Sequence, residues 1–265
     1  MVAWIGASLL SGTLLATATA STATGSAEEF EAGLWWYRSL NLDEVHETVT
    51  GDGVQIALLD GPVSPDVPEL QGQDVRPTSS KCHDADRSGG PSDPARPVSA
   101  ITMHPTSMAA LLVGNGHGNG PGGRGVPGIA PGATLRTYAL YDADADPAKP
   151  GGLDCEHFER MTDGDLFREA VADGAEIVAV PFAFISNDME QAISEAILEE
   201  DVIVVVGVGN DGPRARPIVA AHGPGTVNAV AIGEHGDFWE GNSSQIASLY
   251  YLTEDGQLTD DPEKG

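Results

Sequence analysis

Apolar runs and stretches of helical periodicity alternate along this chain. Residues 54–59 are apolar apart from Gln55, a continuous run that predicts a central parallel strand covered on both faces. Similar runs at 134–141, 176–183, 202–208 and 227–232 predict four further strands. Between them, 103–113 reads as a buried helix of small and apolar residues, and 165–172 and 188–200 as amphipathic helices. In the last of these, Met189, Ala192, Ile193, Ala196 and Ile197 fall on one face. Strands alternating with helices in this way predict an α/β fold with a doubly covered, mostly parallel sheet.

The polar segments complete the plan. Residues 28–50 form a lead-in with Leu34, Trp35, Trp36, Leu40, Leu42 and Val45 at irregular helical spacing, suited to packing across a domain surface. Residues 71–100, 114–125 and 142–152 are rich in Gly, Pro, Ser and Asp and read as loops. Residues 51–240 hold the strand–helix alternation and read as one domain, and 241–265 read as a polar tail. No internal repeat is visible.

Composition bounds the class. The chain has 265 residues, 41% of them hydrophobic, enough for a sizeable core. Its 40 acidic and 13 basic residues give a net charge of −27, which repels nucleic acid and anionic membrane surfaces and favours solubility. Residues 1–27 carry no charge, are mostly apolar from Val2 to Ala16, and contain the small-x-small pattern Ala18-Thr-Ala20. They read as a signal peptide that departs from type in lacking a basic start, the first Lys or Arg being Arg38. The stretch is too short and too rich in Ser, Thr and Gly for a membrane span. A secreted or extracytoplasmic location follows. With export, the even count of two cysteines predicts a Cys82–Cys155 disulfide, the alternative being two inert thiols.

Three polar residues stand at the ends of these elements. Asp60 closes the run at 54–59, where a carboxylate can orient and stabilise an imidazolium. His104 opens the helix at 103–113 and can serve as a general base. Asn210 follows the run at 202–208 and can donate to a developing oxyanion. Each alone is ordinary: a turn-forming Asp before Gly61-Pro62, a core or surface His, a turn-forming Asn before Asp211-Gly212. Their order and spacing together are specific.

Val54–Asp60, followed by Pro65-Asp66-Val-Pro-Glu-Leu70, resembles the Asp segment of the subtilisin-like serine peptidases, the subtilases. His104–Val113, followed by Gly125-Val-Pro-Gly-Ile-Ala-Pro-Gly-Ala133, resembles their His segment. Val204-Val-Val-Gly-Val-Gly-Asn210 resembles their oxyanion strand. The overlap covers roughly residues 35–235, and the acidic loops with Ser107-Met108-Ala109 after His104 are similar to the actinobacterial, mycosin-like branch. The resemblance implies a subtilisin-like fold, a peptide or protein substrate, and an exported serine endopeptidase. In it, Asp60 orients His104, His104 deprotonates a serine, and Asn210 holds the oxyanion.

The departures are specific too. The family has Asp-Thr-Gly or Asp-Ser-Gly where this chain has Asp60-Gly61-Pro62, and His-Gly-Thr where it has His104-Pro105-Thr106. Pro181 stands in the substrate-lining segment Pro181-Phe182-Ala183 and lacks an N–H for pairing with a peptide. No Gly-Thr-Ser-Met-Ala block follows Asn210, so the fold is expected to be C-terminally incomplete and the nucleophile absent. Ser107 is rejected because its block precedes Asn210 and belongs with the His segment. Ser243 and Ser244 follow Asn210 too soon and lead into no small-residue helix. A pseudo-peptidase that binds peptides or proteins without cutting them is the alternative.

Other signals are weaker. Gly118-x-Gly120-x-x-Gly123 matches a dinucleotide fingerprint as a string, but Pro121 lies inside it and no helix follows. Asp142-x-Asp144-x-Asp146 begins like a calcium loop, yet Pro147 replaces the glycine and Leu153 the bidentate Glu. A solvated acidic loop is expected there, with a loosely bound calcium ion as the alternative. No other cofactor is expected, and His and Cys spacing suggests no zinc. The oligomeric state is not legible.

Overall fold

The computed structural model describes residues 26–83, 92–142, 155, 159–181, 186–210, 212 and 225–239, and the backbone of two short strands near the C-terminus. The lead-in folds as three short helices, α1 (Ala27–Gly33), α2 (Trp35–Ser39) and α3 (Leu42–His46). Ser26 and Glu29 close a capping box at the start of α1, each satisfying a backbone N–H of the other. The run at 54–59 becomes strand β1 (Gln55–Asp60), buried from Ile56 onward.

The remaining elements follow in chain order. They are β2 (Val75–Ser80), helix α4 (Met103–Val113), a small antiparallel pair β3 (Asn115–His117) and β4 (Arg124–Pro127), and β5 (Thr134–Ala139). Next come α5 (Asp163–Ala172), β6 (Ile177–Val180), α6 (Asn187–Glu199), β7 (Ile203–Gly207) and β8 (Val227–Ala229). The lead-in docks on the β3–β4 pair. Arg124 pairs with Glu31 and lies 4.9 Å above the Phe30 ring, and His46 Nε2 sits 2.9 Å from the Ile129 carbonyl oxygen.

One six-stranded sheet carries the fold, in the order β2-β5-β1-β6-β7-β8, with every neighbouring pair parallel. Alternation along β1 assigns its two faces. Ile56 and Leu58 pack with Ala109, Ala110 and Val113 of α4, while Ala57 and Leu59 join the layer of Leu166, Phe167, Met189 and Ile193 from α5 and α6. The sheet is thus covered on both sides, which is why β1 tolerates no polar residue between Ile56 and Leu59. Thr162 and Ser186 cap α5 and α6 through their hydroxyls, fixing where each helix starts.

Strand β2 corrects the reading of 71–100 as loop. Its sequence Val-Arg-Pro-Thr-Ser-Ser has no apolar run because it is the outer strand of the sheet, and Pro77 sits where the register with β5 slips. The loop expected at 114–125 contains the short β3–β4 pair. The apolar strand expected at 227–232 is shorter, and all three residues of β8 are exposed, because it lies at the other end of the sheet order. Within the tail, β9 (Tyr251–Leu252) and β10 (Leu258–Thr259) form an antiparallel pair.

The disulfide expected from the cysteine count is present. Cys82 and Cys155 are bonded, with Cα atoms 5.3 Å apart. Beside it, the buried Lys81 ammonium lies 3.1 Å from Glu159 and 3.0 Å from Asp163, and Arg160 reaches the Ser80 carbonyl oxygen and the Ser79 hydroxyl. Together they tie the end of β2 to the entrance of α5.

Candidate active site at the carboxyl edge of the sheet

The strand order reverses direction around β1. The chain lays β2 and β5 on one side of it and then crosses to lay β6, β7 and β8 on the other. In open α/β sheets the crevice at such a reversal, beyond the carboxyl ends of the strands, is where ligands gather. Asp60 is the last residue of β1 and stands at that crevice. Its parity is that of Ile56 and Leu58, so its side chain faces α4.

Asp60 is 1% exposed, so its charge needs partners. Oδ1 accepts the Gly61 amide at 2.8 Å and the Tyr141 hydroxyl at 3.1 Å. Oδ2 lies 2.8 Å from His104 Nδ1. The pair is close but not ideally aligned, and Oδ2 lacks a donor of full hydrogen-bond geometry. Such looseness is common in ligand-free acid–base pairs, which tighten as the complex forms.

His104 lies in the first turn of α4, and its side chain is 49% exposed, leaving the ring open to the crevice. The Asp60 carboxylate, by its polar contact with the ring nitrogen and by its charge, holds the imidazole pKa above its ordinary 6.5, against the opposing effect of burial. The positive end of the helix opposes a cation in this turn as well, so the carboxylate is what makes the imidazolium acceptable. Pro105 is buried in the same turn, where a missing N–H costs no intrahelical bond. The His-Pro departure from the family pattern is therefore structurally neutral for α4.

The loop after β1 is knotted to the same turn. The Ser64 amide donates to the Thr106 hydroxyl at 3.0 Å, and the Ser64 hydroxyl donates to the Arg96 carbonyl oxygen at 2.5 Å and lies 3.3 Å from the Thr102 hydroxyl. These buried bonds lock α4 against β1 and so set the distance between His104 and Asp60.

Asn210 is exposed in the bend beyond β7, after Gly209 at φ +91°. Pairing of Leu58 with Ala179 and of Ala179 with Val205 aligns Asp60 with positions 181 and 207. Asn210, three residues beyond position 207, therefore lies past the same carboxyl edge as Asp60, two strands over. Among the described residues, no hydrogen bond joins it to Asp60 or His104. Pro181 is the residue flanking Asp60 on the β6 side.

The other sequence candidates separate cleanly. Ser107 is exposed on α4, one turn after His104. Ser243, Ser244, Phe182, Ala183, Asp144 and Asp146 lie outside the described residues, as do residues 1–25. Asp142 is buried, and among the described residues no group of three or more His, Cys, Asp and Glu side chains is placed to hold a metal. A cleft of about 450 Å³ between α5 and α6, lined by Arg168, Val171, Ala192 and Glu195, lies on the face of the sheet opposite α4 and takes no part in this site.

Sequence reasoning missed Tyr141. Its partner at the edge is visible only through register, since Asp60 pairs with Ala139 and Tyr141 follows two residues later. The available signal was Gly61, the one position of the Asp segment that had lost its side chain.

Comparisons with known proteins agree with this fold. Residues 51–251 match the subtilase family. Fervidolysin of Fervidobacterium pennivorans is 26% identical over 224 residues, covering 82% of this chain and 29% of that protein. The protease domain of PatA superposes with a TM-score of 0.53 at 24% identity, over 74% of this chain and 64% of that one. MycP3, the protease of a type VII (ESX-3) secretion system, gives 0.52 at 19% identity, over 75% and 58%. The chain thus spans under a third of fervidolysin and less than two thirds of the other two. With its parallel sheet, its Asp60–His104 pair at the reversal point and a family match over most of its length, the chain belongs to the subtilase family.

Proposed function

We propose that these 265 residues supply the acid–base half of a serine-peptidase site and engage a peptide at the carboxyl edge of the sheet. His104 is the general base, Asp60 orients it and stabilises its protonated form, and Asn210 is the oxyanion donor. The observation that carries this reading is the 2.8 Å approach of His104 Nδ1 to the buried Asp60 carboxylate. It leaves Nε2 as the ring nitrogen that can take a proton from a reacting group, which is the division of labour a triad needs.

The pair activates only a nucleophile placed beside it. No Gly-Thr-Ser-Met-Ala block follows Asn210 in these residues, so peptide binding without acyl transfer is the expected behaviour of the chain as it stands. Pro181, at the register position beside Asp60, removes one donor from the strand a peptide would line, so a bound peptide is held there with one main-chain hydrogen bond fewer than along an unbroken strand. Export is part of the proposal and is supported by the Cys82–Cys155 bond, a form that persists in oxidising compartments.

The test is labelling with a fluorophosphonate serine probe alongside an NMR titration with an unlabelled peptide. We expect no labelling and peptide-induced shifts at His104, Gly61 and Asn210. Labelling abolished by Ser107→Ala, or by Ser243→Ala with Ser244→Ala, would identify a nucleophile and refute the binding-only reading. Labelling that survives all three substitutions would refute the site.

A further inference from the structure

Gly61 and Tyr141 are a matched pair. A β-carbon at position 61 would fall inside van der Waals contact with the Tyr141 ring and its hydroxyl. The phenol therefore occupies the space that a side chain after the site aspartate would fill. Tyr141 is 5% exposed and packs in the α5–α6 layer beside Tyr138 and Leu140, so its ring is held from behind. Its hydroxyl has one use for its proton there: donation to Asp60 Oδ1 at 3.1 Å. The Gly61 amide donates to the same oxygen at 2.8 Å, so Oδ1 is held by two donors.

We infer that Tyr141 is a positioning residue for the acid–base pair, its hydroxyl fixing the rotation of the Asp60 carboxylate so that Oδ2 faces His104. With Oδ1 held by the Tyr141 hydroxyl and the Gly61 amide, the plane of the carboxylate is set and Oδ2 is left for the imidazole. Without the hydroxyl, a single amide from the adjacent residue remains, and one hydrogen bond does not fix a rotation. The phenol also stays neutral: burial, and secondarily the Asp60 charge, push its ionisation far above the ordinary tyrosine value, so it remains a donor at any pH the fold survives. The Gly61 departure from Asp-Thr-Gly thus accompanies a donor delivered from the bend that follows the neighbouring strand, not the loss of one.

This inference rests on the proposed role of Asp60 and His104, and the experiment separates the two. The readout is the His104 imidazole in the full chain, followed by its NMR titration and its downfield Nδ1 proton. Asp60 is the charged group acting on that ring among the described residues. In Tyr141→Phe, which keeps the ring and removes the hydroxyl, the Nδ1 proton should broaden and the titration midpoint should drop. We expect at least half a unit, about a threefold fall in the imidazolium-to-imidazole ratio at fixed pH. Gly61→Ala, which drives the phenol off Asp60, should give the same change alone and little further change in the Tyr141→Phe background, because both act through one bond. A His104 midpoint unchanged or raised in both single variants would overturn the role of Tyr141 while leaving the pair intact. A His104 that titrates at 6.5 with no downfield proton in the unaltered chain would instead overturn the Asp60–His104 pair, and the proposed function with it.

Discussion

Removing the Cys82–Cys155 bond in a Cys82→Ala/Cys155→Ala chain should cost far more stability than any contact near it. The bond closes a loop with a sequence separation of 73. In the chain-entropy treatment a loop of that length restricts the unfolded ensemble by about 4 kcal/mol at 25 °C. That is a large fraction of the roughly 5–15 kcal/mol that holds an ordinary domain together. The native side loses little, because Lys81, Glu159, Asp163 and Arg160 still bridge the same two segments and the Lys81 amide still donates to the Ala139 carbonyl oxygen at 2.8 Å. Urea unfolding followed by far-UV circular dichroism is the assay. The variant should have an earlier midpoint and a slope no smaller than that of the bonded chain, since its unfolded state is freer to expand. The two are best compared at a common urea concentration. A difference under about 1 kcal/mol would refute the entropic reasoning and mean that the unfolded chain is already held near its native closure by other contacts. Ser80, Ala139 and Asp60 form one row across three strands, so the sheet ladder keeps that row in place, and His104 titration should be unchanged in the variant.

Two further outcomes follow from the site. His104 has a folded pKa above 6.5, so its pairing contributes fully below about pH 6.5 and is lost as pH rises through the raised folded value; in Asp60→Asn the thermal midpoint should lose its decline across that window, and a decline equal to that of the unaltered chain would refute the coupling. Tyr138 and Tyr141 are both held neutral, chiefly by burial and then by Asp173 and Asp60 respectively, so two of the five tyrosines should resist alkaline titration at 295 nm until the fold gives way; complete ionisation below about pH 11 with the circular dichroism intact would contradict their burial.

How much of this was legible in the sequence depends on whether a signal was local. β1 was readable because a strand covered on both faces must be apolar at every inner position, and 56–59 is. α5 and α6 were readable from residues that repeat on one face, and α4 from its run of small and apolar residues. β2 was not, because an outer strand with Pro77 at a register slip carries no apolar run to read. β8 was over-read, because Val227, Ala229 and Ile232 look like core until one knows that the strand stands last in the sheet order. Within the site, Asp60 and His104 were marked by their places at the ends of elements. Tyr141 was not, since its bearing on Asp60 is created by the register of β1 against β5 and by an absent side chain at Gly61, neither of which a single stretch of sequence expresses.

The knot formed by Ser64, Thr102, Thr106 and the Arg96 carbonyl oxygen has a consequence for when the site becomes ordered. These bonds join the turn that carries His104 to the loop leaving Asp60, so the two side chains are brought into register by folding itself. An arriving peptide then meets a pair whose freedom is already gone, and its own binding energy need not order the pair. The same coupling sets the failure mode. Fraying of the first turn of α4, an opening far smaller than global unfolding, would dissolve the pair in the same step, so the lifetime of the site is the lifetime of that one turn.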